Sequence, residues 1–177
     1  FNKTFGCKIK ILCLTNNFGP YQFPEKYIPT LISSFLKNQK APIYGKGKNI
    51  REWMYVKESC NAIWKVIISN KKFEKINLGS GIRLNNLEIA KKIFQIMKNK
   101  KLTNLSSKDY IKMVKDRPGH DERYALNCNK IKREIRWKNK TSVSIGLAKT
   151  VNWYSKNLNF FKKISKRNIT KRLGIKV

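Results

Sequence analysis

Apolar residues recur along the chain at two spacings, one typical of strands and the other typical of helices. Short apolar runs rich in β-branched side chains predict strands at 8–14, 53–56, 75–78 and 113–114. Apolar positions three and four residues apart predict helices at 29–37, 58–69, 86–98, 129–135 and 143–157. Because the two kinds of element alternate, the sequence predicts an α/β fold.

Polar segments that contain glycine and proline separate these elements and predict loops. They lie at 15–20, 40–49, 100–110 and 116–121. Asn85 and Glu88 have the spacing of a capping box, which predicts that a helix begins beside them.

The first predicted strand has no earlier strand to pair with, although parallel sheets are normally covered on both faces. Phe, and not Met, stands at position 1. We therefore expect the chain to be the second half of a larger α/β unit.

The chain is strongly basic, with 40 Lys and Arg against 10 Asp and Glu and a net charge of +30. Nucleic-acid-binding proteins gather basic residues into a patch that follows the phosphates, whereas these lysines are spread almost evenly. We therefore interpret the charge as compositional drift in which lysine replaces other residues at surface positions, and we disfavour a nucleic-acid partner. The densest basic run, 162–172, predicts that 158–177 form a basic C-terminal tail.

Metal and membrane sites are also disfavoured. The four cysteines show no C-x-x-C spacing and the chain has one histidine, so no structural zinc site can be written and we predict no metal. No apolar run reaches the length that crosses a bilayer, and no signal peptide is visible. With 41% hydrophobic residues, the composition predicts a globular cytoplasmic protein.

Two glycine pairs match only part of the dinucleotide-binding fingerprint. The 79–81 turn follows a predicted strand, but Leu84 occupies the position of the third glycine. The 45–47 turn fails in the same way at Ile50. Neither turn predicts a dinucleotide-binding loop.

Sequence spacings typical of catalytic residues are also weakly represented. The one Tyr-x-x-x-Lys spacing, Tyr44 and Lys48, falls in a glycine-rich loop, and we attribute it to chance. His120 has no nucleophile and carboxylate at a known triad spacing. We therefore expect this chain to contain no catalytic residue.

Three longer segments carry a more specific signal. They are 15–29 (TNNFGPYQFPEKYIP), 42–56 (PIYGKGKNIREWMYV) and 115–125 (KDRPGHDERYA). In sequence, order and spacing they resemble the dTDP-glucose 4,6-dehydratases, a family of extended short-chain dehydrogenase/reductases. The resemblance implies that residues 1–157 are the C-terminal sugar-nucleotide-binding part, comprising the last strands of a Rossmann-like sheet and a small substrate-binding domain. The NAD-binding half would precede this chain.

The resemblance also implies a binding site. The residues that match substrate contacts of the family are Asn16, Lys26, Tyr27, Pro42, Ile43, Tyr44, Arg51, Asn86, Asp116, Arg117 and His120. Asn17 matches a residue that lies against the NAD cofactor. Arginine suits a diphosphate because its planar guanidinium donates two parallel hydrogen bonds. Tyr27 replaces the usual Leu, Glu52 the usual Asp and Glu122 the usual Arg.

By resemblance, the complete enzyme converts dTDP-glucose to the 4-keto-6-deoxy sugar nucleotide and water, uses NAD and forms a homodimer. This chain alone is then expected to have no turnover and to bind NAD negligibly. Three alternatives remain open: another nucleotide-sugar epimerase or decarboxylase of the same superfamily, a nonfunctional gene remnant, and a basic nucleic-acid-binding protein.

Overall fold

The computed structural model of the chain describes residues 1–71 and 75–163. Their strands are β1 (Ile11–Leu14), β2 (Asn16–Phe18), β3 (Ala41–Tyr44), β4 (Ile50–Tyr55), β5 (Lys75–Leu78), β6 (Arg83–Asn85), β7 (Ile111–Val114) and β8 (Arg123–Tyr124). Their helices are α1 (Asn2–Phe5), α2 (Tyr27–Leu36), α3 (Val56–Ile68), α4 (Asn86–Asn99), α5 (Asn129–Ile135), α6 (Val143–Lys156) and α7 (Asn159–Lys163). The predicted mixture of strands and helices is confirmed.

The described strands form three small sheets. β1 pairs in parallel with β5, and β3 pairs in parallel with β7. The third sheet is built around β4, which pairs in parallel with β2 and β8 and antiparallel with β6. β4 therefore brings together segments that are far apart in sequence.

Two apolar clusters form the core. The larger one lies among α2, α4 and α6, and the face of α2 that was predicted to be buried, including Leu31, Ile32 and Phe35, is fully buried there. Burying such a side chain contributes about 1.5–3 kcal/mol. The smaller cluster lies among β1, β5, α3 and α5.

The capping box predicted for α4 is confirmed. The Asn85 side chain accepts a hydrogen bond of 2.8 Å from the Glu88 backbone N–H, and the Glu88 carboxylate accepts one of 2.7 Å from the Asn85 N–H. These bonds satisfy two donors that a helix start would otherwise leave free. The start of α4 is thereby fixed in place.

Two predicted loops contain strands instead. β2 lies within 15–20 and β3 lies within 40–49. Both are short, and each is formed by pairing with a distant strand, so long-range hydrogen bonds override a local composition rich in asparagine, glycine and proline. The strand β6 was not predicted, for the same reason.

The packed part of the chain extends beyond Asn157. Helix α7 follows, and the side chains of Phe160 and Phe161 pack against the larger core, with the Phe161 ring 5.0 Å from that of Tyr154. Of the predicted basic tail, 164–177 lie outside the described residues.

Within the described part of the chain, strand β1 has one unpaired edge. Among the described residues β1 pairs with β5 alone, and the side chains of Ile9 and Ile11 are 49% and 52% exposed. Within the same described part of the chain, no helix has both the length and the apolar character needed to cross a membrane.

Candidate functional site

The ends of β3 and β7 bring Tyr44 and His120 together. Tyr44 pairs with Val114 in the parallel register, and the backbone N–H of Gly45 donates a 2.9 Å hydrogen bond to the Val114 carbonyl. The loops that follow the two strands therefore start side by side. The His120 ring stands edge-on to the Tyr44 ring, with the centroids 6.4 Å apart.

Asp116 holds this loop in shape. Its Oδ1 accepts a 2.9 Å hydrogen bond from the Arg117 backbone N–H and lies 2.7 Å from Nδ1 of His120. The hydrogen bond from His120 is the main reason why the pKa of the Asp116 carboxyl is lowered. Gly45 faces the same carboxylate, and a Cβ there would lie 2.6 Å from Asp116 Oδ2. With a φ of +52°, position 45 therefore favours glycine, both for its backbone conformation and for the space that Asp116 occupies.

Arg51 on β4 is a buried cation. It is 7% exposed, and its guanidinium donates 2.8 Å hydrogen bonds to the carbonyls of Ile50 and Asp121. Burial lowers its pKa, the charge of Arg117 lowers it further, and that of Asp121 opposes both. Among the described residues no carboxylate forms an ion pair with Arg51. A buried charge without such a partner favours the binding of an anion.

A second group of residues surrounds Trp53 on β4. Asn16 lies opposite Trp53 in the β2–β4 register, and the Tyr27 ring lies 6.1 Å from the Trp53 ring. The Tyr27 hydroxyl donates a 2.7 Å hydrogen bond to the carbonyl of Asn86. Lys26 precedes Tyr27 at the cap of α2 and pairs with Glu25 at 2.8 Å.

The residues around Trp53 adjoin those around Arg51 and Tyr44, because Trp53 and Arg51 both lie on β4. Arg51 pairs with Leu84 in the β4–β6 register, directly before the start of α4. The Leu87 N–H, within the first turn of α4, donates a 3.2 Å hydrogen bond to the carbonyl of Gly47, in the loop that follows Tyr44. The loop that follows Tyr44 is therefore linked to the start of α4, beside the strand that carries Arg51.

Two of the predicted site residues have side chains that are buried or hydrogen-bonded within the protein. Ile43 is fully buried in the larger core, because side chains alternate along β3 and leave Pro42 and Tyr44 half-buried on the other face. The Asn17 amide donates a 3.0 Å hydrogen bond to the Thr15 carbonyl and accepts a short one from the Ser59 hydroxyl.

Sequence reasoning missed the part played by Glu52. Its carboxylate is fully buried and accepts hydrogen bonds from the backbone N–H groups of Gly81, at 2.8 Å, and Leu126, at 3.3 Å. It therefore ties β4 to two other segments. The signal was a carboxylate directly before the apolar residues 53–56, since a buried carboxylate must find partners.

No metal site is visible in the described part of the chain, where no three His, Cys, Asp or Glu side chains are grouped closely enough to hold an ion. The polar side chains in this part of the fold carry guanidinium, imidazole, phenol and amide groups. This set matches the chemistry of an anionic ligand that also carries hydroxyl groups.

Comparison with known proteins defines the class. The fold is that of extended short-chain dehydrogenase/reductases. It superimposes on the dTDP-glucose 4,6-dehydratase of Bacillus anthracis, crystallised with NAD, with a TM-score of 0.80 and 37% identity, over 91% of this chain and 49% of that one. It also resembles the UDP-glucose 4-epimerase of Thermotoga maritima, with a TM-score of 0.78 and 22% identity, over 89% of this chain and 49% of that one, which shows the fold alone.

The chain belongs to the GDP-mannose 4,6-dehydratase family, whose model matches residues 1–150. It is 37% identical over 157 residues to a probable dTDP-glucose 4,6-dehydratase of Sinorhizobium fredii, covering 89% of this chain and 45% of that protein. It is also 37% identical over 164 residues to the dTDP-glucose 4,6-dehydratase of Escherichia coli, covering 93% and 45%. The predicted resemblance is confirmed, and the chain spans about half the length of these relatives.

Proposed function

We propose that this chain is the sugar-nucleotide-binding part of a dTDP-glucose 4,6-dehydratase. The observation that carries the proposal is the buried guanidinium of Arg51, which has carbonyl acceptors but no paired carboxylate among the described residues. A bound diphosphate would supply the missing negative charge. The identity of the relatives supports dTDP-glucose as the substrate.

From the contacts described above, we assign each set of site residues to one part of the ligand. Arg51, Arg117 and His120 would bind the diphosphate. Tyr44 and Pro42 would pack on the thymine and ribose, with Ile43 taking part through its backbone only. Asn16, Lys26, Tyr27 and Asn86 would contact the sugar, Tyr27 through its backbone since its hydroxyl is already bonded. Asp116 would act through His120.

The whole enzyme would convert dTDP-glucose to dTDP-4-keto-6-deoxyglucose and water, with NAD as cofactor. The residues of this chain do not fit NAD by themselves, because neither glycine pair completes the fingerprint and the Asn17 amide is bonded internally. NAD would therefore be held by an N-terminal half docked against the unpaired edge of β1, beside the exposed Ile9 and Ile11. A homodimer remains part of the proposal.

Nucleotide preference provides the test. Calorimetric titrations of the chain with dTDP and with UDP should give the tighter binding for dTDP. Tighter binding of UDP would favour an epimerase of the same fold, and no binding of either would favour a nonfunctional remnant. The chain alone should show no turnover of dTDP-glucose, and turnover by the chain alone would contradict the division between the two halves.

A further inference from the structure

The sheet built around β4 carries a second group of charged residues, on the face away from Arg51. Side chains alternate along a strand, so Arg51 and Glu52 on β4 lie on opposite faces. Residues that pair across neighbouring strands share a face, and Glu52 pairs with Arg83 on β6. Ile50, two positions before Glu52 and on the same face, pairs with Arg123 on β8. Glu52, Arg83 and Arg123 therefore lie on one face, opposite to Arg51.

A cavity of about 500 Å³ lies beside these three residues. Its charged lining consists of Glu52, Arg83 and Arg123 from the sheet and Lys132 from α5. The volume is typical of sites that bind small molecules. None of the described residues assigned above to the diphosphate lines this cavity, so it is separate from the candidate functional site.

Glu52 is the one carboxylate among the described residues that line the cavity. It is fully buried and accepts hydrogen bonds from the backbone N–H groups of Gly81 and Leu126. One of its oxygens also lies 3.9 Å from Nε of Arg83. Its negative charge is therefore compensated within the protein.

Arg123 and Lys132 have no such compensation. Both are exposed, and neither forms an ion pair with a described carboxylate. Three cations thus face one carboxylate in the cavity, and a net positive charge remains there. Positive charge in a concave surface attracts anions more strongly than the same charge spread over a flat surface.

The thiol of Cys128 lines the same cavity without adding negative charge at neutral pH. Burial, followed by the charge of Glu52, raises its pKa to about 11, so the thiol stays protonated. The charges of Lys132 and Arg83 act on this thiol in the opposite direction, which places both cations near the cavity wall.

We propose that this cavity binds a small molecule carrying a phosphate group, with Arg123 and Lys132 as the residues that hold the phosphate. A phosphate matches the two uncompensated cations in charge, and the guanidinium of Arg123 can donate two parallel hydrogen bonds to it. The bound phosphate would link β8 to α5. The inference goes beyond the proposed function and does not depend on it, because the two sites lie on opposite faces of the sheet.

Binding is tested with inorganic pyrophosphate, followed in ¹H–¹⁵N spectra of the full chain at about 0.15 M salt, where diffuse attraction is screened. The backbone amide signals of Gly81, Asn127 and Asn129, which line the cavity, should shift and saturate. The double variant Arg123→Gln/Lys132→Gln should bind with an affinity at least about 10-fold lower, since hydrogen bonds to charged groups are lost. Its other amide signals should stay in place, because both side chains are exposed.

The matched control is Lys98→Gln/Lys100→Gln, which removes two exposed charges at the far end of α4 and should leave the affinity unchanged. Equal affinity for Arg123→Gln/Lys132→Gln and the unsubstituted chain would overturn the proposal. An equal loss in the control would also overturn it, because the attraction would then come from the overall charge.

Arg51→Gln separates this cavity from the candidate functional site. The variant should leave the pyrophosphate shifts of Gly81, Asn127 and Asn129 unchanged. Loss of those shifts in Arg51→Gln would show that pyrophosphate binds on the other face of the sheet, and would overturn the proposal. Failure of the chain to bind dTDP would count against the proposed function alone.

Discussion

The Tyr27 hydroxyl donates a 2.7 Å hydrogen bond to the carbonyl of Asn86, which joins the first turn of α2 to the first turn of α4. Both helices begin at the candidate site. The bond therefore fixes the distance between two segments that the resemblance assigns to the substrate. Burial is the main reason why the pKa of the Tyr27 hydroxyl is raised, so the group remains a hydrogen-bond donor well above neutral pH.

Removal of this hydroxyl should weaken the fold. Tyr27→Phe keeps the ring beside Trp53 but loses the bond to Asn86, and the free energy of unfolding should fall by about 1 kcal/mol. Urea denaturation measures the change. Tyr21→Phe is the matched control, because the Tyr21 side chain is 73% exposed. Equal losses for the two variants would show that the bond to Asn86 contributes nothing.

Gly45→Ala should disturb the Asp116 loop. Gly45 has a φ of +52°, and a Cβ there would lie 2.6 Å from Asp116 Oδ2. The left-handed backbone alone costs about 1–2 kcal/mol for alanine. Gly81→Ala provides the control, since Gly81 has a φ of +79° with no atom within 4 Å of its added Cβ.

The free energy of unfolding should therefore fall further for Gly45→Ala than for Gly81→Ala in urea denaturation. The nitrogen signals of His120 should move in the first variant and stay in place in the second. If the two variants lose the same stability, the close approach to Asp116 is not restrictive.

Cys128 should make stability depend on alkaline pH. Burial, followed by the nearby Glu52 carboxylate, raises the pKa of its thiol from 9.0 to about 11. Between these values the unfolded chain releases the thiol proton while the folded chain retains it. The free energy of unfolding should then fall as pH rises from 9 to 11.

Urea denaturation at several pH values measures this decline. In Cys128→Ala the decline should be shallower, whatever the stability of the variant at pH 7. Cys60→Ala removes an exposed thiol and should leave the decline as steep as in the unsubstituted chain. A Cys128→Ala curve parallel to that of the unsubstituted chain would contradict the assignment.

The sequence predicted those features that depend on local pattern. Helices α2 to α6 followed from the apolar spacing, and the start of α4 followed from Asn85 and Glu88, because a capping box is formed by residues close in sequence. The strands β2, β3 and β6 could not be predicted in this way. Each is three or four residues long and exists because a distant segment pairs with it.

The same distinction between local patterns and long-range contacts applies to the candidate site. The residue types could be taken from the resemblance, but the orientation of each side chain depends on packing. Ile43 points into the core because side chains alternate along β3, a strand that was itself not predicted. The bond from Ser59 to Asn17 and the partners of Glu52 join segments distant in sequence, so no local pattern could indicate them.

Arg51 offers the most direct test of the proposed site. Calorimetric titration with dTDP should give an affinity about 10- to 150-fold lower for Arg51→Gln, since hydrogen bonds to a charged group contribute about 1.5–3 kcal/mol. Urea denaturation of ligand-free Arg51→Gln should show a loss of stability of no more than about 1 kcal/mol, because the loss of hydrogen bonds to the Ile50 and Asp121 carbonyls is offset by the removal of a buried charge that lacks a carboxylate partner among the described residues. Arg133→Gln, which removes an exposed arginine paired with Glu134, should bind dTDP as the unsubstituted chain does. Equal dTDP affinity for Arg51→Gln and the unsubstituted chain would contradict the account.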